Sequence, residues 1–252
     1  MKIQFCSDLH IEMRPFGYRL EKTDADVIVL AGDIATGINT IEFAVEEAEL
    51  HNKPVIVVAG NHEFYRGDYY YVLNEMRSAA SQHPLVHLLE NSEIVIDGVR
   101  FLGCTLWTDY EVNGEQNKAI NMAYCGRMLR DHVVIRNGDF NFTPSDAEEL
   151  CRISKLFLAQ KLGVKFNGPS VVVTHHGPSL ECQHKSYKMS EISAAFTSNF
   201  DDLVTKPDLW IYGHTHSNLD IKVGDCRLVS NQQGYPNEAM PVAFKPSLVV
   251  EI

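Results

Sequence analysis

Five short apolar runs punctuate the chain, and each stops at a polar cluster. Residues 2–6 end at Ser7-Asp8-Leu9-His10, 26–30 at Ala31-Gly32-Asp33, and 54–58 at Ala59-Gly60-Asn61-His62-Glu63. Residues 170–174 end at His175-His176-Gly177, and 208–212 at Gly213-His214-Thr215-His216. The runs are rich in β-branched side chains and bounded by turn formers, the pattern of strands buried on both faces. Helical periodicity fills some of the gaps. Over 38–50, Ile38, Ile41, Val45 and Ala48 share one face, with Glu42, Glu46 and Glu49 opposite. A weaker pattern covers 68–80. Over 145–162, Ser145 and Glu148 make a capping box ahead of recurring apolar residues. Strands alternating with helices predict an α/β fold with a largely parallel sheet. Asp97-Gly98 and Gly224-Asp225 predict hairpins joining 94–96 to 99–102 and 219–223 to 226–229. With a final strand over 247–252, a second, more antiparallel sheet is expected. Residues 106–143 are rich in Asn, Gly and aromatics without clean periodicity. They are expected to form a cap or loop excursion of a single domain over 1–252.

Composition narrows the function classes. The chain has 252 residues, 45% hydrophobic and 22% charged, which suits one large globular domain and excludes disorder and coiled coil. No apolar run approaches the roughly 18 to 20 residues that cross a bilayer. The first residues hold one Lys and a short apolar stretch before Asp8, so no secretory signal is expected. Lys and Arg number 22 against 33 Asp and Glu, a net charge of −11. That balance, without a basic cluster, argues against general nucleic-acid or anionic-membrane binding. Six scattered cysteines without a CxxC pair predict free thiols and a cytoplasmic location.

The strand ends carry the chemistry. Ligands of open α/β sheets bind beyond the carboxyl ends of the strands, and neighbouring strands lie about 4.8 Å apart. Asp8, His10, Asp33, Asn61, His62, His175, His214 and His216 can therefore converge. Imidazole nitrogens with carboxylate and amide oxygens suit Mn, Fe or Zn. Seven of the eight can be ligands, too many for one ion holding about four. They fit two ions if one carboxylate bridges, and two ions about 3.5 to 4 Å apart clamp a reacting phosphoryl group. Helix capping by Asp33 or Asn61 is the alternative, but it leaves the recurring His pairs unexplained.

At Asp8-Leu9-His10, Gly32-Asp33, Gly60-Asn61-His62-Glu63, Thr174-His175-His176-Gly177 and Gly213-His214-Thr215-His216 the chain resembles the calcineurin-like metallophosphoesterase superfamily. All five motifs occur in the family order. The resemblance implies an α/β/β/α sandwich, two facing mixed sheets flanked by helices. It implies that Asp8, His10 and His216 hold one divalent ion, that Asn61, His175 and His214 hold a second, and that Asp33 bridges. It implies His62 as general acid, with a metal-bridging hydroxide as in-line nucleophile. Arg66, His176, Trp107 and Tyr110 are candidate substrate contacts, followed by Tyr65 and Tyr187. Asn231 and Tyr235 are expected in a loop near the site.

The second motif lacks the further Asp and Arg of the superfamily's Ser/Thr protein phosphatases, which removes an orienting carboxylate and a phosphate clamp. The chain looks closer to the small bacterial-type phosphoesterases. A diester carries one charge and needs fewer clamps than a monoester dianion, so a small phosphodiester is the expected substrate. A phosphomonoesterase or nucleotidase, a protein phosphatase, a nuclease and a non-catalytic scaffold are the alternatives. Oligomeric state has no signature in the sequence.

Overall fold

The computed structural model describes residues 1–252. The chain lays down β1 (Lys2–Cys6), β2 (Val27–Ala31), helix α1 (Asn39–His51), β3 (Val55–Val58), helix α2 (Tyr69–Ala80) and β4 (Val86–Leu88), then the hairpin β5 (Ser92–Ile96) and β6 (Val99–Cys104). Next come α3 (Lys118–Met128), α4 (Asp131–Val134), the small hairpin β7 (Arg136–Asn137) and β8 (Phe140–Asn141), and the long helix α5 (Pro144–Leu162). The chain ends with β9 (Ser170–Thr174), α6 (Asp201–Val204), β10 (Leu209–Tyr212), β11 (Asp220–Val223), β12 (Cys226–Ser230) and β13 (Val249–Glu251).

Two sheets result, ordered β13-β1-β2-β3-β4 and β11-β12-β10-β9-β6-β5. The five motif strands do not share one sheet: β1, β2 and β3 lie in the first, β9 and β10 in the second. The second sheet is antiparallel only in its edge hairpins; its inner pairs are parallel. Alternate side chains explain the layering. Val27, Val29 and Ala31 of β2 join Val171, Val173, Leu209 and Ile211 in a seam between the sheets. Ile28 and Leu30 point the other way, into a larger core that includes Ala44 and Ala48 of α1. Full burial of such a side chain contributes about 1.5–3 kcal/mol, so the strands are held on both faces. This is the expected sandwich of two mixed sheets flanked by helices. No helix is long and apolar enough to cross a membrane, and the six cysteines are buried and free.

Local signals mostly hold. Asp97 and Gly98 both have positive φ (46° and 81°), and Ile96 pairs with Val99, as a two-residue type I′ turn requires. Asp68 caps α2 by accepting from the Tyr71 N–H at 3.0 Å. The α5 capping box differs from the expectation. It is Thr143 with Asp146, because Pro144 occupies the first helical turn, where its missing N–H costs nothing. The excursion over 106–143 contains α3 and α4, and its Trp107, Tyr110, Cys125 and Phe142 belong to the larger core.

Helix α1 buries Ile41 and Ala48 of its expected face, with Val45 packed against the core, and also buries Phe43, Ala44 and Glu47; Ile38 precedes the helix and is exposed. Glu47 is buried, with Oε2 accepting from the Leu20 N–H and 3.1 Å from His51 Nε2, while Oε1 has no hydrogen bond and lies 3.9 Å from Arg19 Nε. Burial pushes its carboxyl up to about 7. A raised carboxyl favours the fold while protonated, so that contribution fades between the ordinary value near 4.5 and about pH 7. Glu47→Gln is therefore expected to gain about 1–2 kcal/mol over the parent chain across this window and hold the gain above it. Urea unfolding at pH 4.5 and pH 8 checks this; an equal difference at both would contradict it.

Candidate metal centre

The ends of β1, β2 and β3 meet those of β9 and β10 at one edge of the sandwich. Of the candidate ligands, Asp8, His10, Asp33, His214 and His216 all adopt the left-handed backbone, with φ between 44° and 69°. Few non-glycine residues do so, and such strain concentrates at functional sites. The motif glycines have a matching reason. A Cβ on Gly32 would enter the His175 ring, and one on Gly60 would strike the Asp33 carboxylate. The turns are pressed against the very side chains they present.

Two donor groups hold the expected ligands. Asp8, His10 and His216 make one, and Asp33, His175 and His214 the other, with donor atoms in each within 4.8 Å of one another; His10, Glu12 and His62 make a further group alongside. Nε2 of His10 faces Nε2 of His216 at 3.4 Å, and Asp8 Oδ1 is 3.3 Å from the latter. Asp33 lies between the groups. Its Oδ1 is 3.3 Å from His175 Nε2, and its Oδ2 is 4.0 Å from His10 Nε2. Asn61 Oδ1 is 3.2 Å from His175 Nε2.

The remaining ring nitrogens decide whether this set suits a cation. His175 Nδ1 donates to the Ala31 carbonyl at 2.9 Å, and His214 Nε2 to the Ala195 carbonyl at 3.2 Å. His216 Nδ1 donates to Glu238 at 2.6 Å. Each interaction fixes the ring and leaves its other nitrogen for the centre, the arrangement that metal-ligating histidines use. Electrostatics agree. Burial opposes charge on His175, but Asp33 overrides it and raises the ring to about 9. Burial likewise opposes charge on His216, and Asp8 and Glu238 raise it to about 10. Against burial, His175 and His62 hold Asp33 well below the usual carboxylate range. The centre thus draws positive charge to two buried carboxylates. Glu238→Gln is expected to weaken divalent-ion binding about 10- to 100-fold, as loss of such partners does elsewhere. Calorimetric titration with Mn²⁺ measures it, and an unchanged affinity would show that Glu238 does not tune His216.

His62 sits beside both groups. Its N–H donates to Asp33 Oδ1 at 2.8 Å, and its Nε2 is 3.9 Å from Asp33 Oδ2. Its Nδ1 lies 3.4 Å from Glu12 Oε1, its Nε2 lies 3.1 Å from the Tyr235 hydroxyl, and its ring stacks on Tyr65 at 4.0 Å. Burial would lower His62, but Asp33 and Glu12 raise it. Desolvation would raise Glu12, and His10 and His62 bring it down to about 2. Glu63 buttresses the floor, accepting from the N–H groups of Asp33, Ile34 and Gly60 at 2.7–2.9 Å.

The centre opens into a cavity of about 1110 Å³ that includes Arg66, Tyr65, Tyr187 and Tyr235 in its wall. Three expected substrate contacts are elsewhere. His176 is buried, bonded through Nδ1 to the Thr105 carbonyl and tilted against Trp107; burial and the neighbouring His175 lower it to about 3. Trp107 packs with Phe64, Tyr69 and Phe142. Tyr110 turns its hydroxyl to His132, 3.3 Å away. All three stabilise the wall from behind. Asn231 bonds the Phe5 and Lys245 carbonyls and is structural.

Sequence reasoning missed Glu12, Asp131, His184 and Glu238. Glu12 supplies the carboxylate for His62 that the second motif lacks. Asp131, buried in the excursion, accepts from Asn61 Nδ2 at 3.0 Å and from the Tyr65 hydroxyl at 2.7 Å, which turns Asn61 Oδ1 toward His175. His184 lines the cavity. Only Glu12 had a local signal, two residues beyond His10.

A model of the calcineurin-like phosphoesterase family matches residues 1–218. An uncharacterized protein of Acanthamoeba polyphaga mimivirus is 22% identical over 280 residues, spanning 99% of this chain and 96% of the viral one. Among solved structures, a phosphopantetheinyl hydrolase from Mycobacterium tuberculosis matches with a TM-score of 0.70 at 20% identity, over 93% of this chain and 90% of that one. At that identity the likeness is one of fold. A dimetal phosphatase from Danio rerio matches with a TM-score of 0.46 at 14% identity, over 91% and 86% of the two chains.

Proposed function

Because the chain belongs to the calcineurin-like phosphoesterase family and is a metal-dependent phosphoester hydrolase, we propose that it cleaves small phosphodiesters with two divalent ions, Mn, Fe or Zn. The observation that carries this reading is Asp33, whose two carboxylate oxygens face two separate donor groups beside His62. Asp8, His10 and His216 would hold one ion, Asn61, His175 and His214 the other, and Asp33 both. When bound, the ions would supply Lewis-acid activation of water and stabilise charge on the phosphoryl group.

The chain's own groups do the rest. His62 is placed to give a proton from Nε2 to the departing oxygen, with Glu12 holding its Nδ1–H. Tyr235 lies at that same nitrogen, where it can orient the ester or yield to it. Tyr65 packs against the imidazole and limits its rotation.

The diester preference rests on the floor of the cavity. Glu12, Tyr65 and Tyr235 surround His62, and no Lys or Arg bonds any residue of the donor groups. A singly charged phosphoryl group suits that floor better than a dianion does. The test is turnover of bis-p-nitrophenyl phosphate and p-nitrophenyl phosphate by chelated protein reloaded with each ion, alongside metal content. Faster diester cleavage with two ions per chain is expected. No turnover with any divalent ion, faster monoester cleavage, or one ion per chain would overturn the respective part.

A further inference from the structure

We propose that the outer part of the cavity is an anion subsite, in which Arg66, Arg130 and Lys188 bind a second phosphate carried at the far end of the substrate. This rests on the reading above and extends it to a substrate class: phosphodiesters that bear a terminal phosphate.

All three cations line the same cavity as Asp33, Asn61 and His62. Asp33, Asn61 and His62 are buried, whereas the three cations are exposed, so the cations form a rim. They come from three separate segments: the turn after His62, the excursion just before α4, and the stretch between Cys182 and Glu191. None of the three makes an ion pair. Six of the 22 Lys and Arg of this chain pair with a carboxylate, so what sets these three apart is that they line one cavity. Nor do the acids of the cavity compete for them. Glu12 is placed on His62, Asp131 on Tyr65 and Asn61, and Glu238 on His216. The three cations are therefore free of direct ion pairs at one mouth, where they can meet an incoming anion. Arginine forks match phosphate oxygens in pairs, and Lys adds a point charge.

Size supports the same conclusion. A cavity of about 1110 Å³ exceeds the roughly 300–1,000 Å³ of pockets that enclose drug-sized ligands. A phosphoryl group at the floor leaves most of it for an organic body. Tyr65, Tyr187, Leu129, Ile192 and Phe196 line the space for that body. Arg66 itself has a left-handed backbone (φ 65°), fixed by its N–H on the Val134 carbonyl at 3.0 Å, so its position depends on the excursion.

The test compares binding of thymidine 3′,5′-bisphosphate and thymidine 5′-monophosphate to the Mn²⁺-loaded protein by calorimetry. The parent chain is expected to favour the bisphosphate by about tenfold or more, the scale of one charge-assisted contact, and to lose that preference as salt rises. Arg130→Gln with Lys188→Gln is expected to erase the preference, and Arg130→Lys to retain most of it. Equal binding of the two nucleotides, binding of neither, or a preference that survives the double substitution would overturn the subsite. Turnover of bis-p-nitrophenyl phosphate separates the two readings. Turnover without the preference sinks the subsite alone, and the preference without turnover sinks the hydrolytic reading alone.

Discussion

Asp33→Asn is expected to cut phosphodiester hydrolysis by more than about a thousandfold and to remove divalent ions from both donor groups at once. Asp33 is the only carboxylate that faces both, through Oδ1 toward His175 and Oδ2 toward His10. Its Oδ1 also accepts the His62 N–H at 2.8 Å, a bond the amide oxygen of Asn can keep. The fold should therefore survive, and the loss would report on charge. Without the carboxylate, the positive charge it draws to His175 is no longer favoured. Metal content by elemental analysis, measured with turnover on the same sample, decides the matter. Two retained ions and activity within tenfold of the parent chain would remove Asp33 from the centre.

His62→Gln is expected to behave differently. Metal content should stay at the parent level, while kcat for an alkyl phosphodiester falls about 10²- to 10⁴-fold, the usual worth of a positioned general acid. The loss should shrink for p-nitrophenyl esters, whose leaving group departs readily without a proton. Glu12→Gln should show the same dependence on leaving group in weaker form, since Glu12 lies 3.4 Å from His62 Nδ1 and does not reach the ester itself in this role. An equal loss across leaving groups would mean that His62 acts by position or charge, not by proton donation.

The candidate ligands were legible because each ends a strand buried on both faces, and because glycines mark the turns where a Cβ would invade Asp33 or His175. The division of these strands between two sheets was not. A strand with both faces buried shows no alternation, so nothing in β2 or β9 tells which sheet it joins. Helix α3 escaped for a related reason. Its buried residues are Asn121 and Cys125, and Asn121 bonds the Tyr110 carbonyl at 2.8 Å, so its inner face is partly polar. Trp107, Tyr110 and His176 were drawn to the pocket by closeness along the chain, while packing turned them into the core. Glu238 and Asp131 were invisible because their partners lie 22 and 70 residues away. Glu238 and Tyr235 also fall beyond residue 218, where the family match ends.

Asp131 ties events at the centre to the folding of the excursion. Its carboxylate joins α4 to Asn61 and Tyr65, so ordering α4 and orienting Asn61 are one equilibrium. Thermodynamic linkage makes that coupling reciprocal. A cation that selects the outward amide oxygen of Asn61 must also stabilise α4 against local opening. A change that loosens α4 enough to populate its open form should weaken the cation in proportion to the closed fraction that is lost. Amide exchange in residues 129–135 would then report occupancy of a centre to which those residues give no ligand, only the Asp131 bond to Asn61.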